Sequence, residues 1–277
     1  MAKKIYIIRL ISERLIKLLA LRLHGWLNNE ASRSYSKTLI VTTAKDLPLT
    51  KVWLPSLRQR GEYRGDVLII DYDLSSNTVR TLQRQPDIVL SKCKAVYKCL
   101  ASDRHRAFYE ALKPIWKKYQ TIMIIDGNDV DFFKPIQLLL SMAKEKVCYV
   151  TENEVNENSA HYEGPPDTKD VWKCIKNKLI ANSGMYVGPS KLIFKIQQHI
   201  AENLKYNSDF GADQVLFNSL IHYYKIPSRE VDRRWNFICG KGVYDKEYMK
   251  LIASYSILHN AWGEAPESLS HAFFRLL

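Results

Sequence analysis

The sequence predicts an α/β fold in which helices flank a mixed, mostly parallel β-sheet. Two observations support this: short β-branched runs alternate with helical segments, and the strongest run leads directly into an acidic turn. The 277 residues suffice for one large α/β domain or two small ones. With 46% hydrophobic and 25% charged residues, the composition is ordinary for a globular protein and argues against a disordered chain.

Strands are predicted where β-branched and other apolar residues form short continuous runs. These runs cover residues 37–44, 66–71, 87–90, 121–125, 147–150, 185–187 and 235–238. Apolar residues at helical spacing predict helices between them. The helices cover residues 103–119, 135–144, 171–179, 190–204 and 212–222. The polar stretch 151–169 is predicted to be a loop. Three interpretations stay open: it closes over a ligand, it contacts an acceptor, or it has no role in function.

Residues 1–36 are predicted to form a separate unit, a basic amphipathic helix preceding the main domain at 37–277. Ile8, Ile11 and Leu15 fall on one side of a helical wheel, and Arg9 and Lys17 fall on the other. Charged residues interrupt every apolar run, which argues against a membrane span and against a secretory signal. Two interpretations stay open: residues 1–30 bind an anionic membrane surface, or they pack on the domain or on another subunit.

The formal net charge of +12 favours anionic partners such as phosphorylated molecules, nucleic acid or an acidic membrane surface. Aromatic residues do not interleave with basic ones as a base-stacking platform requires, and we expect no nucleic-acid partner. The five cysteines show no CxxC spacing, so neither a zinc site nor a disulfide framework is predicted. Free thiols indicate a reducing compartment, and we expect a cytoplasmic protein.

The most informative stretch is 121–136 (TIMIIDGNDVDFFKPI), in which an apolar strand delivers Asp126 to its carboxyl end and Asp129 follows. Ligands of open α/β sheets bind outside the carboxyl ends of the strands. Carboxylates at that edge suit Mg²⁺ or Mn²⁺, which commonly bridge to phosphate oxygens. The alternative is a solvated acidic turn that caps the next helix. The combination of strand, turn and acids favours a metal site over a solvated turn that caps a helix.

This strand and turn, with the following Phe133–Ile136, resemble the metal-binding motif of GT-A glycosyltransferases. The resemblance is to the glycogenin-like and lipopolysaccharide galactosyl- or glucosyltransferase-like families. It implies a Rossmann-like GT-A fold, a Mn²⁺ or Mg²⁺ cofactor, and sugar transfer from a nucleoside-diphosphate donor, expected to be UDP-linked, to a glycan or glycolipid acceptor. The family motif has Asp at both ends of three residues. Here either Asn128 or Asp129 takes the second position.

Three later segments resemble family motifs in the expected order. The segment Asn182-Ser183-Gly184 is similar to the strand that lines the sugar pocket. The segment beginning with Asp213-Gln214 is similar to one whose Asp binds sugar hydroxyls and whose Gln lies near the anomeric carbon or the acceptor. These two residues are the predicted catalytic pair, and their pairing resembles families that retain the anomeric configuration.

The late segment 258–263 resembles the motif whose His completes the metal shell, which assigns His259 as a ligand. The Lys that usually follows in this family, and that holds the diphosphate, is missing here. A guanidinium group can replace it, because arginine clamps phosphates bidentately. The candidates are Arg104, Arg106, Arg233 and Arg234. The resemblance also places Thr42 and Thr43 where the family binds the base and ribose.

Two other functions compete. Residues 67–75 resemble the haloacid-dehalogenase signature, with Asp71 and Asp73 as its acids, and would make the protein a phosphohydrolase. The basic charge also suits a non-enzymatic protein that binds a membrane or nucleic acid. The size and the basic start fit surface-polysaccharide assembly, with the protein peripheral on the inner face of the cell membrane.

Overall fold

The computed structural model describes residues 37–43, 46, 48–156, 168–238 and 254–259. The predicted N-terminal helix at 1–36, with both of its interpretations, lies outside the described residues. The same holds for residues 157–167 of the predicted loop. Within the described part of the chain, no helix has the length and apolar character that a membrane crossing requires.

The strands follow the predicted alternation with helices. They are β1 (Thr38–Thr43), β2 (Asp66–Asp71), β3 (Ile88–Lys92), β4 (Thr121–Ile125), β5 (Val130–Phe132), β6 (Val147–Val155), β7 (Leu179–Pro189), β8 (Ser228–Glu230), β9 (Phe237–Ile238) and β10 (Ile257–His259). The helices are α1 (Leu54–Gln59), α2 (Ser76–Gln83), α3 (Leu100–Leu112), α4 (Gln137–Met142), α5 (Thr168–Ile175), α6 (Ser190–Asn203) and α7 (Ala212–His222). A π-helical turn, Pro48–Trp53, precedes α1.

Seven strands form the main sheet, in the order β3-β2-β1-β4-β7-β6-β8. The pairs β2–β3, β1–β2, β1–β4 and β6–β8 are parallel, whereas β7 runs antiparallel to both β4 and β6. The prediction of an α/β fold with a mixed, mostly parallel sheet is therefore confirmed. The carboxyl ends of β1, β2 and β4 lie at one edge of this sheet, which is where Asp126 follows β4.

Several predicted boundaries were wrong. The helix predicted over 171–179 covers Thr168–Ile175, because Leu179 begins β7. The strand predicted over 235–238 is limited to Phe237–Ile238, because Trp235 lies in a 3₁₀ turn.

The helix predicted over 103–119 ends at Leu112, because Pro114 has no N–H to continue the helical hydrogen bonds. A short 3₁₀ turn, Trp116–Lys118, follows it. The polar stretch predicted as a loop from residue 151 continues β6 to Val155, because strand pairing with β7 satisfies its backbone.

The core lies between the sheet and the three helices α3, α6 and α7. The strands β1, β2 and β4 are almost entirely buried, as expected for parallel strands covered by helices. Phe108 of α3, Ile196 of α6 and Phe217 of α7 belong to one buried cluster with these strands. The core thereby fixes α3 and α7, which carry polar side chains toward the carboxyl edge of the sheet.

A small second sheet of three strands lies beside the acidic turn, in the order β5-β10-β9. β10 is antiparallel to β5, and His259 pairs with Val130. β10 is also parallel to β9, where His259 pairs with Ile238. Asp129 directly precedes Val130, so this sheet carries the ring of His259 to the acids, although the two segments are far apart in sequence.

Candidate functional site

The acidic turn is anchored on both sides of Asp126, the first residue after β4. Its backbone N–H donates to the carbonyl of Gly184 at 2.9 Å. Its carbonyl accepts from the indole Nε1 of Trp53 at 2.9 Å. Trp53 is fully buried and packs edge-on against Phe132, with ring centroids 5.7 Å apart. The backbone at Asp126 is thus held by β7 and by the turn before α1.

Asp126, Asp129 and His259 form a cluster in which one ligand atom of each lies within 4.8 Å of the others. The Nε2 atom of His259 is 3.3 Å from Oδ2 of Asp126 and 3.6 Å from Oδ2 of Asp129. Two carboxylate oxygens and an imidazole nitrogen form a donor set that fits a divalent cation. Asn128 is exposed in the same turn, and Asp129 is half-buried. The cluster can hold a metal ion.

His259 is buried among these acids, with 3% of its surface exposed. Burial disfavours an imidazolium, yet the carboxylates of Asp129 and Asp126 outweigh it and raise the pKa of His259 to about 10. Its other ring nitrogen, Nδ1, is buried and has no hydrogen-bond partner among the described residues. A ring with one nitrogen facing two acids is oriented as a metal ligand requires.

Gly184 faces this cluster, and no larger residue fits there. A Cβ at this position would lie 2.5 Å from Cε1 of His259 and 2.7 Å from Oδ2 of Asp126. It would also lie 3.1 Å from Oδ1 of Asn182. Glycine is needed because β7 passes so closely behind the carboxylate and the imidazole.

Arg104 of α3 connects the metal cluster to a second buried acid. Its guanidinium donates to Oδ1 of Asp126 and, at 3.3 Å, to Oδ2 of Asp213. Burial raises the pKa of Asp126, but Arg104 and then His259 outweigh it, and the net pKa is lowered. The guanidinium is held between two carboxylates on different elements, so both acids remain charged.

Asp213 lies in the first turn of α7, after Gly211, whose φ of 89° favours glycine. Its Oδ2 accepts from Arg104 and from the hydroxyl of Ser183 at 3.0 Å, and Nε2 of His105 lies 3.2 Å away. Burial opposes ionisation, but these groups lower the pKa of Asp213 to about 2. Within the described residues, Oδ1 accepts no hydrogen bond, so it is available to a ligand hydroxyl.

A buried polar chain supports Asp213 from behind, and the sequence analysis missed it. Nδ1 of His105 lies 3.0 Å from Oε1 of Gln197, whose amide donates to the hydroxyl of Tyr186. His105, Gln197 and Tyr186 are all fully buried. The available signal was Gln197, which interrupts the apolar face of α6 between Ile193, Ile196 and Ile200. A buried polar residue in such a face needs a partner.

The residues of the predicted sugar pocket lie beside Asp213. The N–H of Ser183 donates to Oε1 of Gln214 at 3.3 Å, and the hydroxyl oxygen of Ser183 lies 3.3 Å from the same atom. Oδ1 of Asn182 accepts from Gly184 N–H and from the amide of Asn236, each at 3.0 Å. The amide of Asn182 donates to Glu152 at 2.8 Å. Glu152 and Asn236, which the sequence analysis did not single out, therefore help to orient this pocket.

The other predicted binding residues lie outside these contacts. Thr42, at the end of β1, is fully buried, and its hydroxyl has no partner among the described residues. Thr43 donates to the carbonyl of Ile70 at 3.3 Å. Arg106 binds Asp103 at 2.8 Å, and the described residues give it no bond to Asp126 or Asp213. It lies in a different cluster from Arg104.

The two later arginines are exposed at a 3₁₀ turn, Arg233–Trp235. Arg233 donates to the carbonyl of Glu152 at 3.2 Å, so it lies close to the residue that binds Asn182. Arg234 forms an ion pair of 2.9 Å with Asp232. Arg233 is therefore nearer to the predicted sugar pocket than the neighbouring Arg234 is.

The acids of the phosphohydrolase alternative are separate from this cluster. Oδ1 of Asp71 accepts from the N–H of Leu74 at 2.7 Å, which closes the turn after β2. Asp73 is exposed in that turn. Among the described residues, the only group of three or more His, Cys, Asp or Glu arranged to hold a metal is the one at Asp126. The chain was compared with protein-family models and with curated proteins, and neither comparison gave a match.

Proposed function

We propose that this protein is a metal-dependent glycosyltransferase of the GT-A type. It transfers a sugar from a nucleoside-diphosphate donor, expected to be UDP-linked, to a glycan or glycolipid acceptor. One observation carries the proposal: Asp126 belongs to a cluster that can hold a cation, and Arg104 joins it to Asp213. A cation that binds a diphosphate and a carboxylate that accepts hydrogen bonds from sugar hydroxyls then lie in one site at the carboxyl edge of the sheet.

Asp126, Asp129 and His259 would hold Mn²⁺ or Mg²⁺. Bound there, the cation would neutralise charge on the diphosphate as the bond between the sugar and the phosphate oxygen breaks. Mn²⁺ is the better fit, because the set includes an imidazole nitrogen. Asp129 is the preferred second acid, with Asn128 as the alternative that the motif leaves open.

Arg104 supplies a fixed positive charge beside the metal cluster. Its guanidinium is held by Asp126 and Asp213, so it is already oriented when a diphosphate arrives. A preoriented cation stabilises the leaving group without reorganisation, which is the main electrostatic contribution to such reactions. This assigns to Arg104 the work of the missing family lysine.

Asp213 and Gln214 would act on the sugar. Oδ2 of Asp213 is engaged by Ser183 and Arg104, so Oδ1 accepts from a sugar hydroxyl and fixes the orientation of the ring. Gln214 approaches the anomeric carbon, where the bond to the acceptor oxygen forms as the bond to the diphosphate breaks. The proton of the acceptor hydroxyl passes to the oxygen of the departing diphosphate, on the same face of the sugar, and the anomeric configuration is retained in this proposal.

The test is an activity screen with purified protein, Mn²⁺ and a panel of UDP-sugars, in which release of UDP is measured. We expect one donor to be consumed, and we expect activity to vanish with a chelator and return with Mn²⁺. Asp129→Asn and Asn128→Ala decide the second ligand: the variant that needs the higher Mn²⁺ concentration for half-maximal activity identifies it. Hydrolysis of a simple phosphate ester that depends on Asp71, with no donor consumed, would refute the proposal.

For location, we propose the cytoplasmic side of the cell, with residues 1–30 as a contact to an anionic membrane surface. The proposal rests on the basic, amphipathic pattern of that segment. It fits an acceptor assembled at the membrane, as in surface-polysaccharide synthesis.

A further inference from the structure

Large apolar side chains are exposed where α3 begins. Phe210 is 74% exposed, Val96 is 66% exposed, and Leu100 and Tyr206 are each 51% exposed. Exposed apolar residues scattered singly are normal, but a group of them in one place marks an interaction surface. These four residues form an interaction surface only if they lie close together.

Hydrogen bonds bring together the segments that carry these residues. The hydroxyl of Ser102, in the first turn of α3, donates to the carbonyl of Asp209 at 2.9 Å. This contact places the residue before Phe210 beside the start of α3, two positions from Leu100. Oδ1 of Asp103 accepts from the N–H of Val96 at 3.1 Å, which ties the preceding loop to the same turn.

Exposed lysines neighbour these apolar residues in sequence. Lys92, Lys94 and Lys98 are exposed in the segment that leads into α3, and Lys205 is exposed beside Tyr206. The exposed acid in the two segments 92–100 and 205–211 is Asp209. We name this surface the α3 face. Its members are Val96, Leu100, Tyr206, Phe210, Lys94 and Lys98.

We propose that the α3 face docks on the surface of a lipid bilayer that contains anionic lipids. Charge complementarity selects this occupant, because lysines beside a bilayer are attracted to anionic headgroups. The apolar and aromatic side chains fit the same occupant, since they enter the boundary between headgroups and acyl chains. A nucleic acid would use the lysines but leave Val96 and Leu100 without a role.

The α3 face adjoins the candidate site, which gives the docking a consequence. Arg104 and His105 follow Leu100 in α3 and contact Asp126 and Asp213. Phe210 precedes Asp213 by three residues. If the proposed function holds, docking brings the site to the membrane surface, where a lipid-linked acceptor is presented. The docking itself does not depend on that function.

The test is co-sedimentation of the full chain with vesicles of phosphatidylcholine alone and of phosphatidylcholine mixed with phosphatidylglycerol. We expect binding to the anionic vesicles that weakens as salt rises. The paired change Lys94→Glu and Lys98→Glu should lower the partition coefficient by about 25-fold or more, since each lysine contributes about fivefold at an anionic surface. Phe210→Ser should lower it further.

Matched controls carry the same chemistry elsewhere. Lys144→Glu with Lys146→Glu changes two exposed lysines outside the α3 face, and Leu138→Ser changes a side chain that is 61% exposed on α4. We expect these variants to bind vesicles like the unaltered chain. Equal binding by the α3-face variants would overturn the proposal, because the membrane contact would then lie elsewhere. Absence of vesicle binding, or a dimer in solution that Phe210→Ser dissociates, would also overturn it.

Discussion

Two acids, the buried Asp103 and the half-buried Asp126, are both bound by arginines of α3, yet their surroundings differ in kind. Asp103 is fully buried and accepts from the hydroxyl of Tyr72 at 2.6 Å and from two backbone N–H groups at 3.1 Å. Arg106 completes its shell. Asp126 has 19% of its side chain exposed, and its neighbours include His259 and the second acid Asp129.

The difference separates structure from chemistry. The hydroxyl, the guanidinium and the two N–H groups saturate the carboxylate of Asp103, which holds the loop at Val96 to α3. Asp126 shares its site with the titratable His259 and with a second negative charge on Asp129. This arrangement stabilises the fold less than the one at Asp103 does, and it suits the binding of a cation better. We therefore expect changes at Asp103 to affect stability and changes at Asp126 to affect ligand binding.

The largest effect is expected on stability. Asp103→Ala leaves two backbone N–H groups, the hydroxyl of Tyr72 and the partly exposed guanidinium of Arg106 without their shared acceptor, so the free energy of unfolding should fall by about 3 kcal/mol or more. Asp126→Asn should cost about 1 kcal/mol or less, because Arg104 keeps Asp213 and a repulsion with Asp129 is relieved. Urea denaturation of both variants measures the two losses. Equal losses would remove the distinction between the two acids.

The second effect is expected on turnover, in the opposite order. Asp126→Asn should lower the rate of sugar transfer by about 10²–10³-fold, as expected for loss of a group that stabilises charge on the leaving group. For Asp103→Asn, the rate per folded molecule should stay within a few-fold of the unaltered protein. Initial rates at saturating Mn²⁺, normalised to the folded fraction, measure this. Full activity of Asp126→Asn would contradict the assignment.

A third effect is expected at the two glycines of β7. Gly184→Ala forces a Cβ against His259 and Asp126, so Mn²⁺ affinity should fall by about 10–100-fold, as when ligand orientation is disturbed. Gly188→Ala is the matched control, because its Cβ would instead press on Val147 at 3.0 Å. It should lower stability and leave Mn²⁺ affinity unchanged. Calorimetric titration with Mn²⁺ would tell the two apart.

The last effect, and the smallest for a change of a single pH unit, is a pH dependence. The pKa of His259 is raised to about 10, so the metal-free protein carries a proton there that a bound metal must displace. Apparent Mn²⁺ affinity should rise about tenfold per pH unit from pH 7 to 9. In the metal-free protein, the stabilisation from the raised pKa is complete below about pH 6.5 and is lost as pH rises toward 10. A pH-independent Mn²⁺ affinity would argue against His259 as a ligand.

Much of the fold was predictable, because the central strands are continuous apolar runs. β2, β4 and α7 match their predicted bounds, since each has a clear apolar pattern and a polar or glycine boundary. β5, β8 and β10 have three residues each and were missed, because so few residues establish no period. The antiparallel course of β7 was also missed, since strand direction depends on long-range pairing.

The sequence indicated those residues of the candidate site that lie in a recognisable motif. It did not indicate those that are brought to the site by the packing of helices. The sequence could not rank Arg104 above Arg106, because both are basic residues of one helix. Residues that are two positions apart in an α-helix differ by about 200° around its axis, so the guanidinium groups of Arg104 and Arg106 point to different sides of α3. The role of His105 could not be predicted either, because only the packing of α3, α6 and α7 shows that it contacts Asp213 and Gln197.

The central claim is that the cluster at Asp126 binds a divalent cation that recruits a nucleoside diphosphate. Calorimetric titration of UDP into the full chain, with Mn²⁺ and then with a chelator, tests it most directly. The account predicts one UDP site that requires Mn²⁺ and is lost in Asp126→Asn, while Asp103→Asn retains it. UDP binding of equal strength in the chelator, or undiminished in Asp126→Asn, would contradict the account.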